Sequence, residues 1–175
     1  RRRPDIREAE YKAQAQSAQI GIAKASLYKH FPSKEALAAA AMIRLLENTL
    51  AFVRGMATDR APIDQLKNVL QWALEIRMKG GLPTLPAENT SLREALLGNT
   101  RYISRLMDLN ELMGELIERA RADGKIRKDL PTEVVLFTIY ARSCDPTLDY
   151  LRSNEQYSSD QVINFLLSTC FGGLS

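Results

Sequence analysis

Apolar residues recur along the chain at spacings of three and four, and no stretch alternates apolar and polar residues long enough to make a half-buried strand. This pattern predicts an all-α protein. Ser33 is placed to cap a long helix whose inward positions are Leu37, Ala41, Met42, Leu45, Thr49, Phe52, Val53 and Met56, with Glu35 complementing the dipole in the first turn. Pro62 opens the next helix, with Ile63, Leu66, Val69, Leu70, Ala73 and Ile76 on one face and Gly80-Gly81 as its stop. Pro83 and Pro86 predict irregular chain from Leu82 to Thr90. A short helix from Ser91 to about Gly98 leads into a longer one carrying Tyr102, Leu106, Leu109, Leu112, Met113, Leu116, Ile117 and Ala120, which Gly124 ends.

Two helices complete the chain, from Pro131 to about Leu151 and from Ser158 to about Gly172. Pro146 is expected to kink or interrupt the first, because it lacks a backbone donor and crowds the preceding turn. In the second, Val162, Ile163, Phe165, Leu166, Leu167, Cys170 and Phe171 spread beyond a single stripe. A helix buried on more than one side needs more than its own protomer's core, which makes this end the expected dimer surface.

Composition adds limits. No run approaches the ~18 consecutive apolar residues of a membrane span, and Arg1-Arg2-Arg3 is followed by polar sequence and not by a secretory apolar region, so a cytoplasmic protein without membrane contact is expected. The two cysteines, Cys144 and Cys170, form no paired motif; no zinc site, disulfide framework or cofactor is expected, and each reads as a small buried apolar residue, with a redox-sensing thiol at Cys144 as the other reading. The net charge of +3 divides unevenly: residues 1 to 34 sum to +5 and the remainder to −2. A basic end on a slightly acidic body suits a phosphate-binding head on a separate effector or dimerisation body.

The stretch GIAKASLYKHFPSKEAL, Gly21 to Leu37, carries the functional signal. On a short helix from Ala23 to Phe31, ended by Pro32, residues Ala23, Leu27 and Phe31 fall on one apolar face while Ala25 and Lys29 point the opposite way. A helix that enters the major groove needs this division between a seated ridge and an outer face of small, hydroxyl and basic residues. Lys29 and Ser26 are then positioned for base edges and Ala25 for a thymine methyl. Tyr28, His30 and Lys34 reach phosphates, Lys34 together with the N-terminus of the following helix.

This stretch resembles the signature of the tetracycline-repressor-like (TetR/AcrR) family in its turn glycine, Leu27-Tyr28 pair, Phe31, and the Ser33-Lys34-Glu35 start of the next helix. It covers about a tenth of the chain; the GKIRKDLP turn from Gly124 to Pro131 and the final FGGL also resemble that family. The resemblance implies a homodimeric transcriptional regulator, with a helix-turn-helix head over residues 1–37 and a ligand-binding and dimerisation body over 38–175. It implies that the last two long helices pair with their symmetry mates as a four-helix bundle. A small-molecule effector would change the separation of the heads and release a repressor from double-stranded operator DNA. The family's DNA contacts then fall on Lys24, Ala25, Ser26, Tyr28, Lys29, His30 and Lys34.

The head departs from this pattern. Three helices with their turns need ~40 residues, yet only 20 precede Gly21, and AEYKAQAQSAQ reads as two pieces joined. The expectation is that residues of the natural head between about Glu8 and Ser17 are absent from this numbering. In the body, Trp72, Tyr102, Met107, Phe137, Tyr140 and Cys144, with Met78 and Met113, have the character of a ligand pocket, although the same residue types at helical spacing also suit a plain core. An enzyme is disfavoured because the one histidine, His30, already stands beside the recognition helix, leaving no member for a Ser-His-Asp or metal–histidine cluster. The remaining alternative is a helical ligand-binding or dimerisation module without DNA binding. The face assignment separates two substitutions in a binding assay against the promoter next to the protein's own coding region. Lys34→Ala weakens binding to all sequences and reduces the salt slope by about one, whereas Lys29→Ala changes the preferred base at one operator position. An unchanged preference in Lys29→Ala would place the wrong side of the helix in the groove.

Overall fold

Helix boundaries follow the caps and breakers in the sequence. The computed structural model describes residues 31–57, 59–80, 90–153 and 156–173. Among them run α1 (Lys34–Gly55), α2 (Pro62–Met78), α3 (Thr90–Leu97), α4 (Thr100–Ala122), α5 (Thr132–Ser143), α6 (Thr147–Ser153) and α7 (Ser159–Gly172), with no strand among the described residues. The Ser33 hydroxyl accepts from the Ala36 N–H at 3.0 Å and caps α1. Ser158 and Gln161 form a reciprocal capping box at the start of α7, at 3.2 and 2.9 Å. Gly124, at φ 69°, ends α4 in a Schellman arrangement: its N–H donates to the Arg121 carbonyl at 3.0 Å and Lys125 N–H to the Ala120 carbonyl at 2.9 Å. Pro146 interrupts the helix expected from Pro131 to Leu151, dividing it into α5 and α6. The irregular segment expected before Thr90 falls almost wholly on residues 81–89, outside the described ones, as does the joined run between Glu8 and Ser17.

α4 is the central element and packs against α1, α2, α3 and α5, while α7 lies across α2, α5 and α6. Leu66, Leu74, Met113, Ile117, Val135 and Val162 are fully buried where these helices meet. A smaller cluster of Ala39, Leu92 and Leu96 seats α3 on the first half of α1, with Met42 and Tyr102 along its edge. Residue 37, the expected end of the head, lies inside α1, which continues unbroken to Gly55.

Two helical faces differ from the sequence expectation. The buried stripe of α1 is Ala39, Ile43, Leu46, Leu50 and Val53, about one residue round from the expected one; Ala41 is exposed, and Met42, Leu45, Thr49 and Phe52 are only partly buried. The helix is apolar on more than one side, so spacing alone does not select its innermost row. By length and composition α1 would also cross a membrane, but here its Leu46, Leu50 and Val53 are part of the main core. In α2 the buried set includes Gln65 and Arg77, while Ile63, Ala73 and Ile76 are half-buried. Gln65 is accommodated by donating from Nε2 to the Arg60 carbonyl at 2.8 Å.

Candidate functional site

α1, α2, α4 and α5 do not close completely on one another, and a cavity of about 310 Å³ remains between them. The partly buried face of α1, expected to be core, is one wall of it: Met42, Leu45 and Thr49 face the space. Trp72, Ala73 and Arg77 on α2, Tyr102 and Leu106 on α4, and Ile139 and Tyr140 on α5 supply the others, with Cys144 at the end of α5. The walls are mainly apolar with a few polar groups, the composition of a small-molecule site.

Of the expected ligand residues, Trp72, Tyr102, Tyr140 and Cys144 line this cavity and Met107 and Phe137 do not. Met107 and Phe137 are 65% and 62% exposed on the outer faces of α4 and α5. Their residue type suits a pocket, but their positions fall on the side of each helix away from the core. Met113 is fully buried in the core itself, and Met78 packs at its edge. Cys144, expected to be buried, is exposed at the break between α5 and α6, whereas Cys170 is buried.

Burial raises the pKa of Tyr140 and of Tyr102 above that of a free phenol, so both are neutral hydroxyls across physiological pH. The Tyr140 hydroxyl donates to Asn110 Oδ1 at 3.0 Å, which fixes the ring at the cavity wall. Arg77 is the charged residue of the lining and is 8% exposed. Its Nη1 donates to the carbonyls of Ser143 at 3.3 Å and Asp145 at 2.8 Å, and its Nη2 pairs with Asp149 Oδ2 at 2.5 Å. The guanidinium therefore clips α2 to the carbonyls exposed by the interruption at Pro146. At the same break, desolvation pushes the Asp145 carboxyl up. Hydrogen bonds from Thr147 and the Arg142 guanidinium, at 2.5 Å, outweigh it and hold the group below the ordinary aspartate value. Composition gave no sign of this clip, but spacing did: Arg77 follows Leu70, Ala73 and Leu74 in the inward row of α2, where a charge needs a specific partner.

Among the expected DNA contacts, Lys34 is described: it is exposed at the first position of α1, directly after the Ser33 cap. Lys24, Ala25, Ser26, Tyr28, Lys29 and His30 lie outside the described residues. Residues 17–41, which contain all seven, match the model of bacterial regulatory proteins of the tetR family. The fold agrees with that match. A transcriptional regulator FadR from Bacillus subtilis, solved in complex with stearoyl-CoA, is similar over 91% of this chain and 86% of its own, with TM-score 0.59 and 15% identity. FadR from Bacillus halodurans is similar over 86% of this chain and 78% of its own, with TM-score 0.57 and 16% identity. The TetR regulator SCO0520 from Streptomyces coelicolor gives 86% and 79%, TM-score 0.52 and 20% identity. Residues 17–41 thus carry a tetR-family match, and the helical body has the fold of regulators of that kind. A comparison with curated proteins found no significant match. The match supports a DNA-binding transcriptional regulator and not an enzyme, and at these identities the solved structures speak for the fold alone.

The Arg77 clip gives this regulator a measurable signature. Arg77→Met lowers stability by roughly 2–4 kcal/mol in urea unfolding, because it removes the guanidinium from the Ser143 carbonyl and leaves the Asp145 carbonyl only the Leu148 N–H at 3.3 Å. Asp149→Asn costs less than about 1 kcal/mol, since that carboxylate is 56% exposed and well solvated. Equal losses in the two variants would show that the ion pair, and not the carbonyl contacts, carries the clip.

Proposed function

We propose that this regulator is a homodimeric repressor that leaves its operator when a long-chain acyl ligand, of the fatty acyl-CoA class, fills the cavity between α1, α2, α4 and α5. The observation that carries the reading is the cavity wall itself. The same helix, α1, presents Met42, Leu45 and Thr49 to the cavity and begins at Lys34, inside the region of residues 17–41 that matches the tetR family. A ligand that displaces this wall bears on the helix leading to the head, and differential affinity for the two positions of that helix is what couples effector to DNA. The acyl class is supported by the apolar walls and by the stearoyl-CoA held by the similar Bacillus subtilis regulator.

On the DNA side, Ala25, Ser26 and Lys29 face base edges, while Lys24, Tyr28, His30 and Lys34 hold the backbone. Residues 1–37 form the head and 38–175 the effector and dimerisation body. The two protomers pair through α5 and α7, where Val134, Phe137 and Phe165 leave apolar surface exposed. Such an exposed apolar face fits an isologous helix bundle. The protein works in the cytoplasm, where its operator lies.

Fluorescence anisotropy of a labelled operator fragment tests the effector reading: stearoyl-CoA releases the fragment and free CoA does not. Retention of the operator at saturating stearoyl-CoA would rule out the acyl class. Phe137→Glu puts charges opposite one another across the paired helices. It yields a folded monomer in sedimentation analysis and weakens operator binding at least tenfold; a variant that remains dimeric would move the interface elsewhere.

A further inference from the structure

The acyl cavity has a neighbour. Phe52 on α1 and Trp72 on α2 stack with ring centroids 5.0 Å apart and an interplanar angle of 13°. Trp72 lines the cavity described above, and it also lines a second, more open one of about 350 Å³, to which Phe52 belongs. The second space has an apolar floor, Phe52, Met56 and Trp72, and a polar rim that includes Arg60, Asn68 and the hydrogen-bonded Gln71–Glu75 pair, at 2.9 Å. The stacked pair therefore stands between two cavities that share one wall. Both rings are only half-buried, and neither carries a cap or an ion pair of the fold.

We infer that the Phe52–Trp72 stack is a partition that sets the longest chain the effector cavity accepts. This rests on the reading of the first cavity as a site for a chain-like ligand. A straight hydrocarbon chain entering it gains affinity with each methylene it buries, by about fourfold per group. The gain ends where the chain meets the face of Trp72, because a longer chain must bend or leave methylenes in water. Removing either ring joins the first cavity to the apolar floor of the second and lets the chain continue. The offset-stacked pair holds its position against that pressure through its ring contact, a geometry favoured for aromatic side chains.

The test is isothermal calorimetry of the intact protein with two ligand series, saturated acyl-CoA thioesters from octanoyl to icosanoyl and the corresponding straight-chain alkanols. Wild-type affinity rises with length and then reaches a plateau. In Trp72→Ala and in Phe52→Ala the plateau moves to longer chains, with about fourfold added for each further methylene, while Trp72→Phe keeps the wild-type plateau because a ring still closes the gap. Circular dichroism establishes that each variant is folded, and Phe52→Ala decides the question if Trp72→Ala does not fold. An unchanged plateau in the folded alanine variants overturns the partition, and so does an absence of binding by both series in the wild type. Binding of the alkanols without the thioesters rejects the acyl-CoA effector class while the shift in the alkanol plateau still tests the partition.

Discussion

A single buried guanidinium holds the body of this regulator in register. Pro146 cannot donate a backbone hydrogen bond, so the helix that begins at Thr132 stops at Ser143 and its last carbonyls lose their partners. Arg77 reaches across from α2 and donates to the carbonyls of Ser143 and Asp145 while pairing with Asp149 on α6. One side chain thus satisfies a broken helix end, ties three helices together, and stands in the cavity lining. Without it the junction of α5 and α6 would need water or a rearranged chain, and the cavity's Ser143–Cys144 end would lose its support.

α4 supplies the complementary constraint. Its Leu109, Met113, Leu116 and Ile117 are buried against neighbours on several sides, so it is the least free of the helices to move. α1 is anchored to it through Arg101, which binds Glu47 at 2.7 Å, and through the small cluster that includes α3. The cavity lies where α1 turns its larger, partly buried residues inward. A packed core transmits displacement because it has little free volume to absorb it, and α1 is the wall whose first turns lie in the stretch matching the tetR family.

Much of this architecture was legible in the sequence because helix ends are decided locally. Ser33, Ser158, Gly80, Gly124 and Pro146 act within four residues of themselves, and each marks the boundary it implies. Facing direction is decided by the neighbours, which spacing along one helix does not contain. Met107 and Phe137 looked like pocket residues and point outward; Met42, Leu45 and Thr49 looked like core and line the cavity. Spacing put Arg77 in an inward row but hid its partners, because its three acceptors lie more than sixty residues away. The tetR-family stretch was legible for the opposite reason: a helix that reads DNA must carry its chemistry on consecutive turns, so residues 17–41 hold it in one place.

The cavity has a cost of its own. Side chains lining about 310 Å³ of unfilled space forgo the dispersion contacts they would make in a closed core. An apolar molecule that enters restores those contacts and acts as a missing piece of the hydrophobic interior. By mass action it draws the folding equilibrium toward the native state. A chain with such a molecule bound would unfold and be proteolysed more slowly than one without, so occupancy of the cavity would set the lifetime of the protein as well as its shape.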